Sequence, residues 1–254
     1  MPNDDLFDAL RALGLRLSHD AFSALLAHAT KSRLGAQETF EQLVTLERRV
    51  REQRNLLRRT KLATLGPTEP IDRFDWSHPR NIDRVLVEHL LTLDFAHHGH
   101  NVLLRGPSGV GKTTLARCLG LAALEHGLTV RFSTLAAALA DLLRQESLPA
   151  LERRLRRYTA PDVLILDELG YLPSDNRSAD LLYHIISRRH EQRSTVITTN
   201  LAFKQWGTVF PGAACVVALV DRFAQHCHTV DIDADSWRQK HSLAPPSNPS
   251  SRRR

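Results

Sequence analysis

The segment Gly106–Thr113, with the sequence GPSGVGKT, combines residue types that bind phosphate groups. It fits the pattern G-x-x-x-x-G-K-[ST] and lies between an apolar run, 101–105, and a helix-forming run, 112–125. Its glycines let backbone N–H groups point at phosphate oxygens, while Lys112 and Thr113 would contact the β- and γ-phosphates and Mg²⁺. The sequence therefore predicts a nucleoside triphosphate site made of Gly106, Pro107, Ser108, Gly109, Val110, Gly111, Lys112, Thr113 and Thr114.

A second pair of chemically useful residues, Asp167 and Glu168, ends the apolar run Val163–Leu166. Four apolar residues in a row predict a buried central strand. In P-loop enzymes such a strand lies beside the P-loop strand, so we expect both carboxylates near Mg²⁺ and the γ-phosphate. Asp167 would hold Mg²⁺ directly or through water, and Glu168 would orient and deprotonate the attacking water. The alternative is that the acids cap a following helix.

A third polar position is Asn200, at the end of the run 194–200. Its amide can hydrogen-bond the γ-phosphate or the attacking water if the strand ends near the P-loop. The alternative is that Asn200 only caps a turn.

The elements that must position these residues alternate between strands and helices from about residue 81 onward. This alternation predicts an α/β core of three layers, α/β/α, with a parallel sheet. Residues 1–65 contain helical patterns only, 66–80 read as a linker, 81–241 as the core and 242–254 as a disordered basic tail. The expected core helices are 81–96, 112–125, 135–145, 148–158, 179–192 and 215–225, and the expected strands are 101–105, 129–133, 163–168, 194–200 and 228–232.

The chain of 254 residues is basic, with a net charge of +6, which favours a nucleic-acid partner without proving one. Basic residues recur at helical spacing toward the end of the run 36–63, and a second basic group lies in 148–158. Each group is either a solvated helix face or a surface that contacts DNA phosphates. The candidate DNA-contacting residues are Arg48, Arg51, Arg54, Arg58, Lys61, Arg153 and Arg157.

Other features favour structural roles. Phe74 and Trp76 precede the core and could lie against a nucleotide base, although docking of the linker is the favoured interpretation. The histidines within 97–100 lack carboxylate or cysteine partners, so a metal site is disfavoured. Three cysteines without metal or disulfide spacing, a polar N-terminus without a signal-like apolar run and no bilayer-length segment predict a cytoplasmic protein without membrane association.

Taken together, several motifs resemble one family. They are GPSGVGKTTLA, LILDELGYLP, ISRRHEQRSTVITTN, Phe203 with Trp206, and ALVDRF. The chain resembles the IstB-type ATP-binding proteins, helpers of transposases in IS21-type insertion sequences, which belong to the AAA+ (ASCE) ATPases. The resemblance covers about Phe74 to Lys240 and extends more loosely to the N-terminal helices. It implies a core without a C-terminal helical lid.

The resemblance also implies roles for single residues. It makes Asp167 and Glu168 the Walker B pair, Asn200 sensor 1, and Arg222 an arginine finger that completes the site of a neighbouring subunit. The family's Gly-x-Ser-Tyr-Arg run corresponds here to 234–238, which lacks the glycine and has Trp237 for tyrosine. The role of Arg238 is therefore left open.

The expected cofactors are ATP and Mg²⁺, and the expected partners are duplex DNA, a transposase and further copies of the chain. The alternative function is that of a DnaC-type loader, which acts on single-stranded DNA and a hexameric helicase. A stand-alone kinase is disfavoured because no acceptor site is evident.

Overall fold

The computed structural model describes residues 2–79, 81–170 and 176–233, and the chain divides into two units, Met1–Lys61 and Leu62–Arg254. The predicted tail and Arg238 lie outside the described residues. The helices are α1 Pro2–Ala12, α2 His19–Ser32, α3 Ala36–Ala63, α4 Arg84–Leu91, α5 Asp94–His97, α6 Lys112–Glu125, α7 Leu135–Leu143, α8 Leu148–Thr159, α9 Asn176–Arg189, α10 Trp206–Val209 and α11 Val216–Ala224. The strands are β1 Asn81–Ile82, β2 Asn101–Arg105, β3 Val130–Thr134, β4 Val163–Leu169, β5 Ser194–Thr199 and β6 Cys227–Asp233.

The first unit is helical, and its small core contains Phe7, Leu17 and Phe22, which are all buried. The rings of Phe7 and Phe22 lie 5.5 Å apart. Leu43, Leu46 and Val50 on α3 pack against this cluster. Leu10, Leu15, Ala21 and Leu26 also pack against it. The apolar face at the start of α3 is therefore used for packing, as its helical spacing predicts.

The second unit contains a six-stranded sheet with the order β1-β6-β2-β5-β4-β3. All pairs from β6 to β3 are parallel, which confirms the predicted α/β class. Two details differ from the sequence prediction. β1 pairs antiparallel with β6, and β5 lies between β2 and β4, so the strand with the two carboxylates is not beside the P-loop strand.

Helices cover both faces of the sheet. On β4, Leu164 and Leu166 join a buried cluster with residues of α7, α8, α9 and α11. Ile165 points the other way, and a Cβ atom added at Gly120 of α6 would lie 2.9 Å from its Cδ1 atom. This alternation along one buried strand produces the predicted three layers.

The expected helix over 81–96 is wrong in detail. Residues 81 and 82 form β1, and the remainder is divided into α4 and α5 by Leu93, which has a φ of 67° and is completely buried. A non-glycine residue in this left-handed conformation is unfavourable, so burial of the side chain outweighs the local helical preference.

A buried arginine, Arg189, holds the beginnings of β4 and β5 in place. The Arg189 guanidinium, 1% exposed, donates hydrogen bonds to the Thr195 hydroxyl and to backbone carbonyls of Tyr158, Thr159, Pro161, Asp162 and Ser194. Burial lowers its pKa to about 9, which leaves it protonated at neutral pH. These bonds tie the end of α8 and α9 to the strands that carry the candidate site.

Candidate functional site

The predicted phosphate-binding loop connects β2 to α6, and contacts from neighbouring elements determine its shape. A Cβ atom at position 106 would lie only 2.2 Å from the carbonyl oxygen of Ile232, so only glycine fits at Gly106. The Lys112 ammonium, 8% exposed, donates to the carbonyl oxygens of Gly106 and Pro107 at 2.8 and 2.6 Å. The lysine is thus folded back over the loop, where phosphate oxygens could replace these carbonyls.

Asp167 contacts the loop despite the intervening strand. The Thr113 hydroxyl lies 3.0 and 3.1 Å from its two carboxylate oxygens. The hydroxyl of Thr198 on β5 donates to the same carboxylate at 2.5 Å. Asp167 is only 4% exposed, so these contacts compensate much of the cost of burying its charge. A hydroxyl and a carboxylate with this arrangement form an oxygen donor set that suits Mg²⁺.

Glu168 leaves the sheet through a β-bulge. Leu166 pairs with Ile197 and Leu169 with Thr199, so Asp167 and Glu168 together lie opposite Thr198 alone. Glu168 has a φ of 67°, and its backbone N–H donates to the Thr198 hydroxyl at 2.9 Å. Its exposed side chain lines the cleft beside the P-loop. The two consecutive carboxylates consequently reach the same end of the sheet.

The cleft beside the P-loop has a volume of about 330 Å³. Its P-loop wall contains Ser108 to Thr114, and its strand wall contains Glu168 with Thr198 and Thr199. The remaining lining residues lie within 73–78, in the predicted linker, where Phe74 lies close to Gly111. Sequence reasoning missed Thr198 and Thr199, although two hydroxyls at the end of an otherwise apolar strand were a usable signal.

Phe74 lines this cleft and is held there by an aromatic stack. Its ring packs edge-on against Trp76, with ring centres 5.0 Å apart, and the Arg84 guanidinium lies over Trp76 at 5.0 Å. Phe74 also packs against Gly111 of the phosphate loop, which agrees with the favoured interpretation that the linker docks on the core. Because its ring also lines the cleft, a stacking surface for a nucleotide base stays a prediction.

Asn200 follows β5 but lies outside this cleft. Its exposed side chain lines an adjacent groove with Gly106, Pro107 and the Arg105–Asp231 ion pair, whose two hydrogen bonds are each 2.6 Å long. Gly170 is a near neighbour, since an added Cβ atom would lie 3.4 Å from the Asn200 amide oxygen. Asn200 is therefore close to the first residues of the P-loop, Gly106 and Pro107.

Arg222 lies on α11, which packs against α9. Its guanidinium carbon is 5.1 Å from the centre of the Tyr183 ring, and it is absent from the residues that line the cleft of its own chain. A cation–π contact of this kind orients an arginine without neutralising it.

The basic residues of α3 differ in their surroundings. Arg48, Arg54, Arg58 and Lys61 are exposed. Arg51 instead binds Glu47 at 2.6 Å and the carbonyl oxygen of Gly14 at 2.8 Å. Glu47 also accepts from the backbone N–H groups of Arg16 and Leu17, and although partial burial opposes them, these bonds lower its pKa. Arg51 therefore has a structural role within the helical unit.

On α8, Arg153 is exposed, whereas the Arg157 guanidinium lies 4.0 Å from Asp141. Asp141 also accepts hydrogen bonds from Arg154 and from the Tyr158 hydroxyl. Partial burial opposes these bonds, but together they lower the Asp141 pKa. Arg153 is thus the freer of the two candidates on this helix.

Within the described ranges, no three His, Cys, Asp or Glu side chains are arranged to hold a metal ion. His100 stacks on His226 with ring centres 5.2 Å apart, at the end of β2 and β6 remote from the P-loop. Burial raises the pKa of Cys118 to about 11, so this thiol stays protonated at neutral pH. None of the described helices is long and apolar enough to cross a membrane.

Comparison with known proteins gives the family. The IstB-like ATP-binding protein family matches residues 8–245. The chain belongs to this family. Its relatives include the IS21 putative ATP-binding protein of Pseudomonas aeruginosa, 36% identical over 228 residues, 89% of this chain and 86% of the relative. Another is the IS232 putative ATP-binding protein of Bacillus thuringiensis subsp. berliner, 36% identical over 203 residues, 80% and 81% of the two chains.

The crystal structure of the DnaC helicase loader has the same fold. It superimposes with a TM-score of 0.51 at 20% sequence identity, over 65% of this IstB-like chain and 96% of the loader. The second unit thus has an AAA+-type P-loop fold, and the chain belongs to the family of insertion-sequence ATP-binding proteins.

The position of Phe74 generates a prediction about base binding. We expect Phe74→Ala to weaken ATP binding about tenfold, because stacking contributes about 1–3 kcal/mol per base. Binding of inorganic tripolyphosphate, which has no base, should change less than about twofold. Calorimetric titration of both ligands measures this, with Phe40→Ala, an exposed aromatic on α3, as the control. An equal loss for both ligands would show that Phe74 only supports the loop.

Proposed function

We propose that this IstB-like protein is an ATP-dependent, DNA-binding helper of transposition. It assembles on duplex DNA, hydrolyses ATP and cooperates with a transposase in the selection of a target. The observation that carries the enzymatic part is the contact between Thr113 and the buried Asp167, next to the cleft that Thr113 and Glu168 line from two sides. Family membership supports the link to an insertion sequence.

Hydrolysis is assigned to residues of the P-loop and β4. Lys112 and the loop N–H groups bind the phosphates, and Thr113 with Asp167 would hold Mg²⁺. The metal, when bound, neutralises charge on the β- and γ-phosphates. Glu168 is free to accept a proton from the attacking water because its carboxylate is exposed in the cleft. Asn200 lines the groove next to Gly106 and is proposed to contact the γ-phosphate or the attacking water.

Arg222 is proposed to act on a neighbouring subunit. Its absence from the cleft of its own chain and its support by Tyr183 favour this assignment. ATP would then lie at the interface between copies, and a lone protomer would hydrolyse it poorly.

We expect two inactive variants to restore each other when mixed. Lys112→Ala removes the phosphate lysine, and Arg222→Ala removes the finger but keeps the cleft. An equimolar mixture should regain roughly a quarter of the wild-type ATPase rate, because that share of random interfaces pairs an intact cleft with an intact Arg222. Arg188→Ala, an exposed arginine on α9, should behave as wild type. Wild-type activity of Arg222→Ala alone would contradict the assignment.

Phosphate contacts are assigned separately to α3 of the first unit and to α8 of the second. The exposed residues Arg48, Arg54, Arg58, Lys61 and Arg153 remain the candidates for phosphate contacts. Arg51 and Arg157 are weaker candidates, since each lies beside a carboxylate of its own chain. Phosphate contacts would give binding that depends on salt and little on base sequence.

Steady-state ATP hydrolysis without DNA, with duplex DNA and with single-stranded DNA tests this function. We expect stimulation mainly by duplex DNA, falling steeply as salt rises. The double variant Arg54→Glu/Arg58→Glu should lose the stimulation and keep the DNA-independent rate. Lys31→Glu, an exposed lysine on α2, is the charge-reversal control. Stimulation by single strands alone would instead favour the helicase-loader alternative.

A further inference from the structure

The residue opposite the bulge, Thr198, contacts both carboxylate-bearing residues of β4. It is 1% exposed and lies on β5, the strand that separates the P-loop strand from β4. Its hydroxyl donates to an Asp167 carboxylate oxygen and accepts the backbone N–H of Glu168. A hydroxyl has one proton to donate, so it is the donor in the bond to Asp167 and the acceptor in the bond from Glu168.

The bulge explains why a side chain is needed at this point. With two residues of β4 opposite one residue of β5, the regular ladder is interrupted, and the Glu168 N–H donates to a side chain, the Thr198 hydroxyl. A buried N–H without a partner costs about 1–3 kcal/mol. The Thr198 hydroxyl supplies the missing acceptor, and Glu168 can hold its left-handed backbone conformation.

The same hydroxyl bonds the Asp167 carboxylate together with Thr113. The Oδ1 atom of Asp167 lies 3.0 Å from the Thr113 hydroxyl on α6 and 2.5 Å from the Thr198 hydroxyl on β5, and its Oδ2 atom lies 3.1 Å from the Thr113 hydroxyl. A carboxylate held by two hydroxyls cannot rotate freely about its terminal bond. The direction in which it offers its oxygens is therefore set before any ligand arrives.

From this geometry we propose that Thr198 is a positioning residue that couples the two acids of β4. It sets the orientation of the Asp167 carboxylate toward Mg²⁺ and keeps Glu168 in the bulge. The proposal rests on the proposed ATPase function and deepens it, because Thr198 acts through Asp167 and Glu168 rather than on ATP.

The test compares ATP affinity with Mg²⁺ and with EDTA, by calorimetry on the full chain. Thr198→Val keeps the shape and removes the hydroxyl. We expect the enhancement of ATP affinity by Mg²⁺ to fall about tenfold, the usual effect of losing a partner of a metal ligand. Affinity without Mg²⁺ should stay within about twofold, since the phosphate loop is untouched. Thr198→Ser keeps the hydroxyl and should restore the enhancement.

Thr195→Val is the matched control. Thr195 is a buried threonine near the beginning of the same strand, and its hydroxyl accepts a hydrogen bond from Arg189. Loss of this hydroxyl should lower the midpoint of thermal unfolding but leave the Mg²⁺ enhancement of ATP affinity unchanged. Should Thr198→Val not fold, Thr198→Ala removes the same hydroxyl with less steric demand and carries the same expectation.

Three results would overturn the proposal. They are a wild-type Mg²⁺ enhancement in Thr198→Val, an equal loss in the Val and Ser variants, or an equal loss in Thr195→Val. The first shows that the hydroxyl is dispensable, the second that only packing matters, and the third that general destabilisation is responsible. Failure of the wild-type protein to bind ATP at all would contradict the proposed function itself, which these three results leave intact.

Discussion

The hydrogen bonds between Thr113 and Asp167 join two elements that the sheet holds apart, because β5 separates β2 from β4. The Asp167 carboxylate contacts Thr113 at the point where β4 bulges against β5. A buried acid requires compensating partners, and two threonine hydroxyls supply them. The position of Glu168 in the cleft follows from the same bulge.

The phosphate loop is held from other sides as well. β6 brings the Ile232 carbonyl against Gly106, and residues before the core bring Phe74 against Gly111, whose φ of 95° already excludes most side chains. Arg189 anchors the opposite ends of β4 and β5. The loop therefore meets the phosphates as a preorganised surface, which reduces the ordering cost of binding.

Much of this arrangement was predictable from the sequence, because local patterns determined it. The motif at 106–113 gave the boundaries of β2 and α6 correctly, and the apolar run before Asp167 gave β4. The order of the strands was not predictable, since it depends on contacts between distant residues. The same applies to Arg51, whose guanidinium binds a carbonyl 37 residues away, and to Phe74, whose place in the cleft depends on Gly111. The bulge opposite Thr198 likewise exists only in the pairing of two strands.

The most direct test of the central claim is a single-turnover measurement on Glu168→Gln, made beside an ATP titration of the same variant. The account predicts that ATP affinity stays within about twofold of wild type, because Glu168 contributes little to phosphate binding. It predicts a fall in the hydrolysis rate of about 10²-fold or more, because the amide cannot accept the proton of the attacking water. Turnover at the wild-type rate would contradict the claim that the bulge of β4 delivers the catalytic base.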